Sequence, residues 1–446
     1  MTNQTLSIVS SASDGHVVDA YHEIVCALKL MGVQTTHIGI SLDTWYPKEG
    51  RTRYASYGYE SWDLPRPSGC TTPWWQTQGV QVEAASAIPA LDSMVDELCE
   101  LYQPAVFLLA DDTGPLEVAL IRAFKRRGSA VVLMEHGYGH IVFPAVDHDA
   151  GESGKPALYF KTWPARVALR ARRMPRRLVS RVLAARRTAL PALPHVGVFG
   201  TNGSDVVCTY SGISAARLLQ AGVHAASLRP TGYPYLDQFV RRARAERSAS
   251  DRRRPRAVII SNGWGSYGYA AEAIAFYELA LDVAAELQGT HDVVFRLKSG
   301  EQPRTFLPTH LLDRMERLEM VIDDGLSRSI DFLMDFDIAV GGESTVLLEA
   351  LILGCTPVLL DAPIDTQGGV RSTLYHVLAH ELEVARISVP QETSRVCMLA
   401  ARPSYLPGLK LRLTQKQELL FHALDGQSGA RVAKVILDVA SGRMGS

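Results

Sequence analysis

The residues best placed to do chemistry lie in the run Asp337-Ile-Ala-Val-Gly-Gly-Glu-Ser-Thr-Val-Leu-Leu-Glu349. An apolar strand ends in Gly341 and Gly342, and Ser344 and Thr345 open a helix. Unpaired backbone N–H groups and the positive end of the helix dipole meet at such a start, which suits phosphate. Glu349 follows one turn later, where a carboxylate can accept hydrogen bonds from ribose hydroxyls. Ser344 could equally serve as a plain helix cap. A cap alone, however, does not require Gly342, Ser344, Thr345 and Glu349 together.

Three further groups fall at predicted strand ends. Arg296 and Lys298 alternate at the end of Asp292–Leu297, so both point to one face of that strand. Two cations there could neutralise a diphosphate or a departing phosphate. Ser11-Ala-Ser-Asp-Gly-His16 follows the first strand, and its imidazole has an ordinary pKa of ~6.5 suited to a general base. Asp111 and Asp112 end another strand and could orient that ring. Met134-Glu-His-Gly-Tyr-Gly-His140 ends a third, so His136 or Glu135 is an alternative base.

These groups need strands to carry them, and the pattern supplies them. Apolar runs at Leu6–Ser10, Val33–Ile40, Ala105–Ala110, Ala130–Met134 and Val206–Tyr210 alternate with helical periods through Ile24–Met31, Ile88–Tyr102, Leu116–Arg127 and Ile213–Ala221. Strand–helix repetition with short turns predicts parallel, doubly wound sheets. Residues 41–79, rich in Trp, Tyr, Pro and Gly, read as a long loop. The pattern restarts at Ala257, with strands expected at Ala257–Ser261, Asp292–Leu297, Met320–Asp323, Phe336–Val340 and Thr356–Leu360. The chain therefore divides into residues 1–240, a charged linker 241–256, and residues 257–446.

Charge is segregated. The 446 residues sum to a net charge of −1, yet residues 153–256 hold 21 Lys and Arg against 4 Asp and Glu. A basic insertion at about 155–190, densest over Arg166–Arg187, suits an anionic membrane surface or polyanionic acceptor. No RNP-like, helix-turn-helix or zinc-finger pattern supports nucleic acid as a partner. GxGxxG after the first strand, GxxxxGK[ST] and GxSxG are all absent, which disfavours dinucleotide oxidoreductases, P-loop NTPases and α/β-hydrolases. The six cysteines are scattered without CxxC spacing, so neither a disulfide framework nor a zinc site is expected, and a reducing cytoplasm fits. Neither a signal peptide nor an apolar run long enough to span a bilayer is evident.

With these residues in place, the chain resembles the bacterial GT-B transferases that build capsule, lipopolysaccharide and teichoic acid polymers. That set includes capsule-type Kdo transferases and CDP-glycerol glycerophosphotransferases, and more distantly the non-hydrolysing UDP-GlcNAc 2-epimerases. The resemblance is carried by Ser13-Asp-Gly-His16, Ala110-Asp-Asp-Thr-Gly-Pro-Leu-Glu117, Glu135-His-Gly137, Thr231-Gly-Tyr-Pro-Tyr-Leu-Asp237, Arg296-Leu-Lys298 and Gly342-Glu-Ser-Thr-Val-Leu-Leu-Glu-Ala350, in the same order over residues 5–365. The family often has His-Pro after the Arg-Leu strand, where this chain has Lys298-Ser299. The resemblance implies two Rossmann-like domains facing a cleft, with the terminal helices crossing back to the first, and it leaves open a retaining scheme with Asp14 or Asp112 as nucleophile. The second would bind a nucleotide-sugar of CMP or CDP type through Arg296, Lys298, Gly342, Ser344, Thr345 and Glu349. The first would receive a glycan or lipid-linked acceptor beside His16, Asp112 and His136. Neither a metal nor a cofactor is expected, and the location would be cytoplasmic, at the inner face of the plasma membrane. A sugar-nucleotide 2-epimerase and a non-catalytic nucleotide-sugar or polyanion-binding protein are the alternatives.

Overall fold

The computed structural model describes residues 5–45, 49–66, 77–136, 199–244, 254–265, 270–325, 327–362 and 373–442. The Arg166–Arg187 segment, the Gly137–His140 part of the third strand-end motif and residues 245–253 of the charged linker lie outside the described residues.

The first sheet has seven strands: β1 (Leu6–Ala12), β2 (Thr35–Ser41), β3 (Glu60–Asp63), β4 (Val106–Leu109), β5 (Ala130–Met134), β6 (Val206–Thr209) and β7 (Leu228–Pro230). Their order is β3-β2-β1-β4-β5-β6-β7, and every neighbouring pair is parallel. The second sheet holds β8 (Arg256–Ile260), β9 (Asp292–Arg296), β10 (Val321–Asp323), β11 (Ile338–Gly341), β12 (Thr356–Leu360) and β13 (Arg386–Ile387), ordered β10-β9-β8-β11-β12-β13 and again parallel. Helices cover both faces of each sheet, which is why the central strands are apolar at nearly every position. Along β4, Val106 and Leu108 enter one core while Phe107 and Leu109 enter the other, the two-residue period of a strand buried on both sides.

In the first lobe the helices include α1 (Gly15–Leu30), α2 (Gly50–Ser56), α3 (Thr77–Tyr102), α4 (Pro115–Arg126), α5 (Gly212–Gln220) and α6 (Tyr235–Arg244). In the second they include α7 (Ala270–Leu287), α8 (Thr309–Arg317), α9 (Ser329–Leu333) and α10 (Thr345–Leu353). Each sheet reverses its winding at its centre, between β1 and β4 and between β8 and β11. At such a reversal the connections leave in opposite directions and open a crevice at the strands' C-terminal ends. His16, Asp111 and Asp112 sit at the first crevice. Asn262 and Gly342–Thr345 sit at the second.

Two stretches differ from the sequence expectation. Residues 41–79 are not one loop, because α2, β3 and the start of α3 fall within them. The charged linker begins late: α6 runs through Arg244, with Tyr235, Leu236, Phe239 and Val240 buried and only its last turn exposed.

The helix Ser428–Ala440 returns to the first lobe and packs along α1. Asp237 of α6 accepts hydrogen bonds from the backbone N–H groups of Ser428 (3.1 Å) and Gly429 (2.7 Å). A distant carboxylate thereby satisfies donors that the helix start would otherwise leave unpaired, and it complements the dipole. Gly429 lies so close to α1 that a Cβ there would stand 3.1 Å from the carbonyl oxygen of Glu23. Val432, Ala433 and Ile436 then bury their side chains fully, each larger one contributing roughly 1.5–3 kcal/mol.

Candidate functional site

The first rim is built by β1, β4 and β5. β1 extends to Ala12, so His16 lies in the first turn of α1 rather than in a loop. Its ring centroid is 5.9 Å from that of His136, which follows β5, and 5.8 Å from that of Tyr235, which it meets edge-on. One donor atom from each of Asp14, His16 and His136 lies within 4.8 Å of the others. His136 Nδ1 is 2.7 Å from the carbonyl oxygen of Ala110. A carbonyl only accepts, so Nδ1 carries the hydrogen and the neutral ring keeps its lone pair on Nε2. The group that orients His136 is thus a backbone carbonyl.

Asp112 is positioned for another task. It is 0% exposed, and both carboxylate oxygens lie 3.1 Å from the Gly200 N–H, while its carbonyl accepts from Asn202. It anchors the turn leading into β6, and burial pushes its carboxyl up to about 7. Asp111 accepts from the N–H (2.8 Å) and hydroxyl (2.7 Å) of Thr113. Glu135 is likewise turned inward. It accepts from the Tyr210 N–H at 2.8 Å, and burial raises it to about 7. Through these contacts Asp112 and Glu135 face into the lobe, while His16 and His136, with Asp14, are only partly buried.

The second rim comes from the ends of β8, β9 and β11. Ser344 is the N-cap of α10, its Oγ accepting from the Val346 N–H at 3.3 Å. In the cap the serine oxygen accepts, so its O–H stays available to donate beside the N–H groups of the turn. A Cβ at Gly342 would stand 3.0 Å from Nδ2 of Asn262 and 3.3 Å from the Phe276 ring. The glycine lets the turn approach the β8 loop. That Asn262 Nδ2 is buried without a hydrogen-bond partner among the described residues, while Oδ1 accepts from the Trp264 N–H. Gly263, at φ +72, lies directly under Lys298: a Cβ would fall 2.3 Å from the lysine Cδ.

Arg296 and Lys298 do not act as a matched pair. Arg296 is 5% exposed. Its Nη1 donates to Asp323 (2.8 Å) and to the Ser327 hydroxyl (2.9 Å), its Nη2 to the Ser327 carbonyl, and the guanidinium lies 4.1 Å from the Phe332 ring centroid. It pins the turn before α9 and lends the site a buried charge.

Glu349 receives that charge. It is 4% exposed, and its Oε2 is buried without a hydrogen-bond partner among the described residues. Burial raises its carboxyl to about 7, against the pull of a hydrogen bond from Ser329 and of Arg296, and with a push from Asp19. Tyr235 connects the rims: its ring faces His16, its hydroxyl bonds Ser329, and its acidity is suppressed by burial and then by Glu349. The lobes also meet at the cleft mouth. The Ser299 hydroxyl donates to Glu49 at 2.7 Å, Arg328 donates to Gln238, and the Arg328 Nε lies 3.9 Å from Asp19. Tyr235 lay inside a motif that the sequence flagged. Asp19, Asn262, Arg328 and Ser329 carried no spacing signal, because each meets the site from a different element.

No family model matches the chain, and no curated protein does. Solved structures do. The UDP-GlcNAc 2-epimerase of Neisseria meningitidis bound to UDP-GlcNAc superposes with a TM-score of 0.58 at 13% identity, over 98% of this chain and 100% of that one. The fold is GT-B. UGT2 of Phytolacca americana, complexed with UDP-2-fluoroglucose and pterostilbene, gives 0.53 at 14% identity over 98% and 100%. The wall teichoic acid polymerase TagF gives 0.52 at 11% over 99% and 90%. At these identities the likeness shows architecture. Among the described residues, no helix is long and apolar enough to cross a membrane.

Proposed function

We propose that this chain is a glycosyltransferase that moves a sugar from a nucleotide-activated donor, of CMP or CDP type, to a glycan or lipid-linked acceptor in bacterial surface polysaccharide assembly. The observation that carries this reading is Glu349. Ser329 bonds this deeply buried carboxylate, but its Oε2, near a glycine turn and a helix start, lacks hydrogen-bond donors among the described residues. Ribose hydroxyls would supply them. Backbone N–H groups around Gly342–Thr345, the Asn262 amide and Lys298 would hold the phosphates. His136 Nε2 would take the acceptor's proton with His16 beside it, and Lys298 and the helix dipole would stabilise the departing phosphate.

An epimerase reading draws support from the neighbours and from the carboxyls of Asp112, Glu117 and Glu135 on the first rim. Transfer is favoured because Asp112 and Glu135 are held by backbone N–H groups. Incubating the chain with UDP-GlcNAc alone and analysing the sugar distinguishes the two, since a C2 epimer appears without acceptor only in the second reading.

The deciding measurement is thermal denaturation with CMP, CDP, UDP, GDP and ADP. A ligand bound only to the folded chain at 100 times its Kd adds about 2.7 kcal/mol. A rise of several degrees with CMP or CDP is expected. A rise with none of the five would sink both enzymatic readings.

The basic segment 161–187 is the proposed contact to an anionic membrane. The chain should co-sediment with vesicles containing phosphatidylglycerol, not with phosphatidylcholine alone, and salt should release it. Equal binding to both vesicle types would refute that contact.

A further inference from the structure

The three donors at the first rim have the composition of a metal site, which nothing in the sequence spacing suggested. We propose that Asp14, His16 and His136 bind one divalent transition ion of the Zn²⁺ class, with a remaining coordination position facing the cleft. Two imidazoles and one carboxylate are a recurrent three-ligand set for such ions, and sites of this kind keep a position for water or a substrate oxygen.

Two independent observations support it. The first is convergence. One ligand atom of each residue lies within 4.8 Å of the others, although Asp14 and His16 flank the start of α1 and His136 follows β5. Bonds of 2.0–2.1 Å at tetrahedral angles need donors about 3.4 Å apart. Contraction of that size is within reach of side-chain rotation, since all three residues are only partly buried. The second is orientation. Ligating histidines almost always donate their other ring N–H to a carbonyl or carboxylate, which fixes the tautomer and aims the lone pair. His136 has this arrangement, with Nδ1–H on the Ala110 carbonyl and Nε2 presenting the lone pair. A ring held so serves equally as a base or a ligand, and an ion would occupy the lone pair that otherwise accepts a proton. Metal binding needs neither nucleotide nor acceptor, so it is measured without the proposed transferase activity, with which the ion would compete for Nε2 of His136.

The test is calorimetric titration of the chelator-stripped full chain with ZnCl₂, alongside its His136→Ala, His16→Ala and Asp14→Asn variants and a His291→Ala control far from the cleft. One ion per chain is expected. Each site variant should weaken binding by at least the ~10–100-fold that loss of an outer-shell partner costs, with the control unchanged. Co²⁺ added to the unsubstituted chain should give intense visible bands of a four- or five-coordinate ion without thiolate charge transfer. That readout needs no variant to fold. Absence of binding, a thiolate band, or affinity unmoved by all three site changes would overturn the proposal.

Discussion

His136→Ala, assayed after chelator treatment, is expected to lower kcat by ~10²–10⁴-fold, the usual contribution of a positioned general base. Donor Kd should stay within about twofold, because the imidazole lies on the first rim and the donor residues on the second. The Ala110 carbonyl already fixes the tautomer, so no proton has to move before Nε2 accepts one. His16→Ala should be milder in kcat and should also raise acceptor KM, since His16 borders both His136 and Tyr235. Pre-steady-state transfer with saturating donor separates the two effects. Unchanged turnover in both variants would refute the assignment of the base.

Glu349→Gln is expected to weaken donor binding by ~10–100-fold, since hydrogen bonds to a charged group contribute about 1.5–3 kcal/mol. The pH dependence has a definite sign. Burial, with Asp19, holds the carboxyl near 7 despite Ser329 and Arg296, and the Tyr210 and Tyr235 hydroxyls face it without adding charge. Ribose hydroxyls donate to the ionised form, so affinity should rise as pH passes from about 6 to about 8. In the Gln variant this rise should vanish. Stability of the ligand-free chain runs the other way. A carboxyl raised from 4.5 to about 7 binds its proton more tightly folded than unfolded, so its contribution is full below about 4.5 and is lost as pH climbs through 7. Thermal melts across pH 5–8 should fall less steeply in Glu349→Gln. Titration calorimetry in the same window that finds wild type and variant parallel would remove Glu349 from the ribose site.

The central strands and the glycine turn at Gly342 were legible because strands buried on both faces are apolar throughout and because a strand-turn-helix junction leaves its mark in adjacent residues. β3 was not legible. It is an edge strand with Glu60 and Asp63 exposed, so it lacks the alternation that marks a half-buried one. The start of α2 was hidden because its Gly50 and Arg51 N–H groups are held by Asp43, several residues upstream and outside any local capping pattern. At the site, position at a strand end placed residues on the correct rim but did not reveal which way they turn. Asp112 and Glu135 sit beside their strands as expected, yet they face Gly200 and Tyr210 inside the lobe. Arg296 shares a face with Lys298, but alternation carries no information about Asp323 and Ser327, which come from another loop and claim the guanidinium.

The return of Ser428–Ala440 to α1 sets the order of assembly. The ribosome releases the first lobe's strands and helices early, yet the helix that covers α1 and satisfies Asp237 follows the whole second sheet in the chain. Until then α1 exposes the apolar face that Val432, Ala433 and Ile436 will cover. The first lobe therefore completes its packing only after the second has been synthesised, although domains generally fold in turn from the N-terminus.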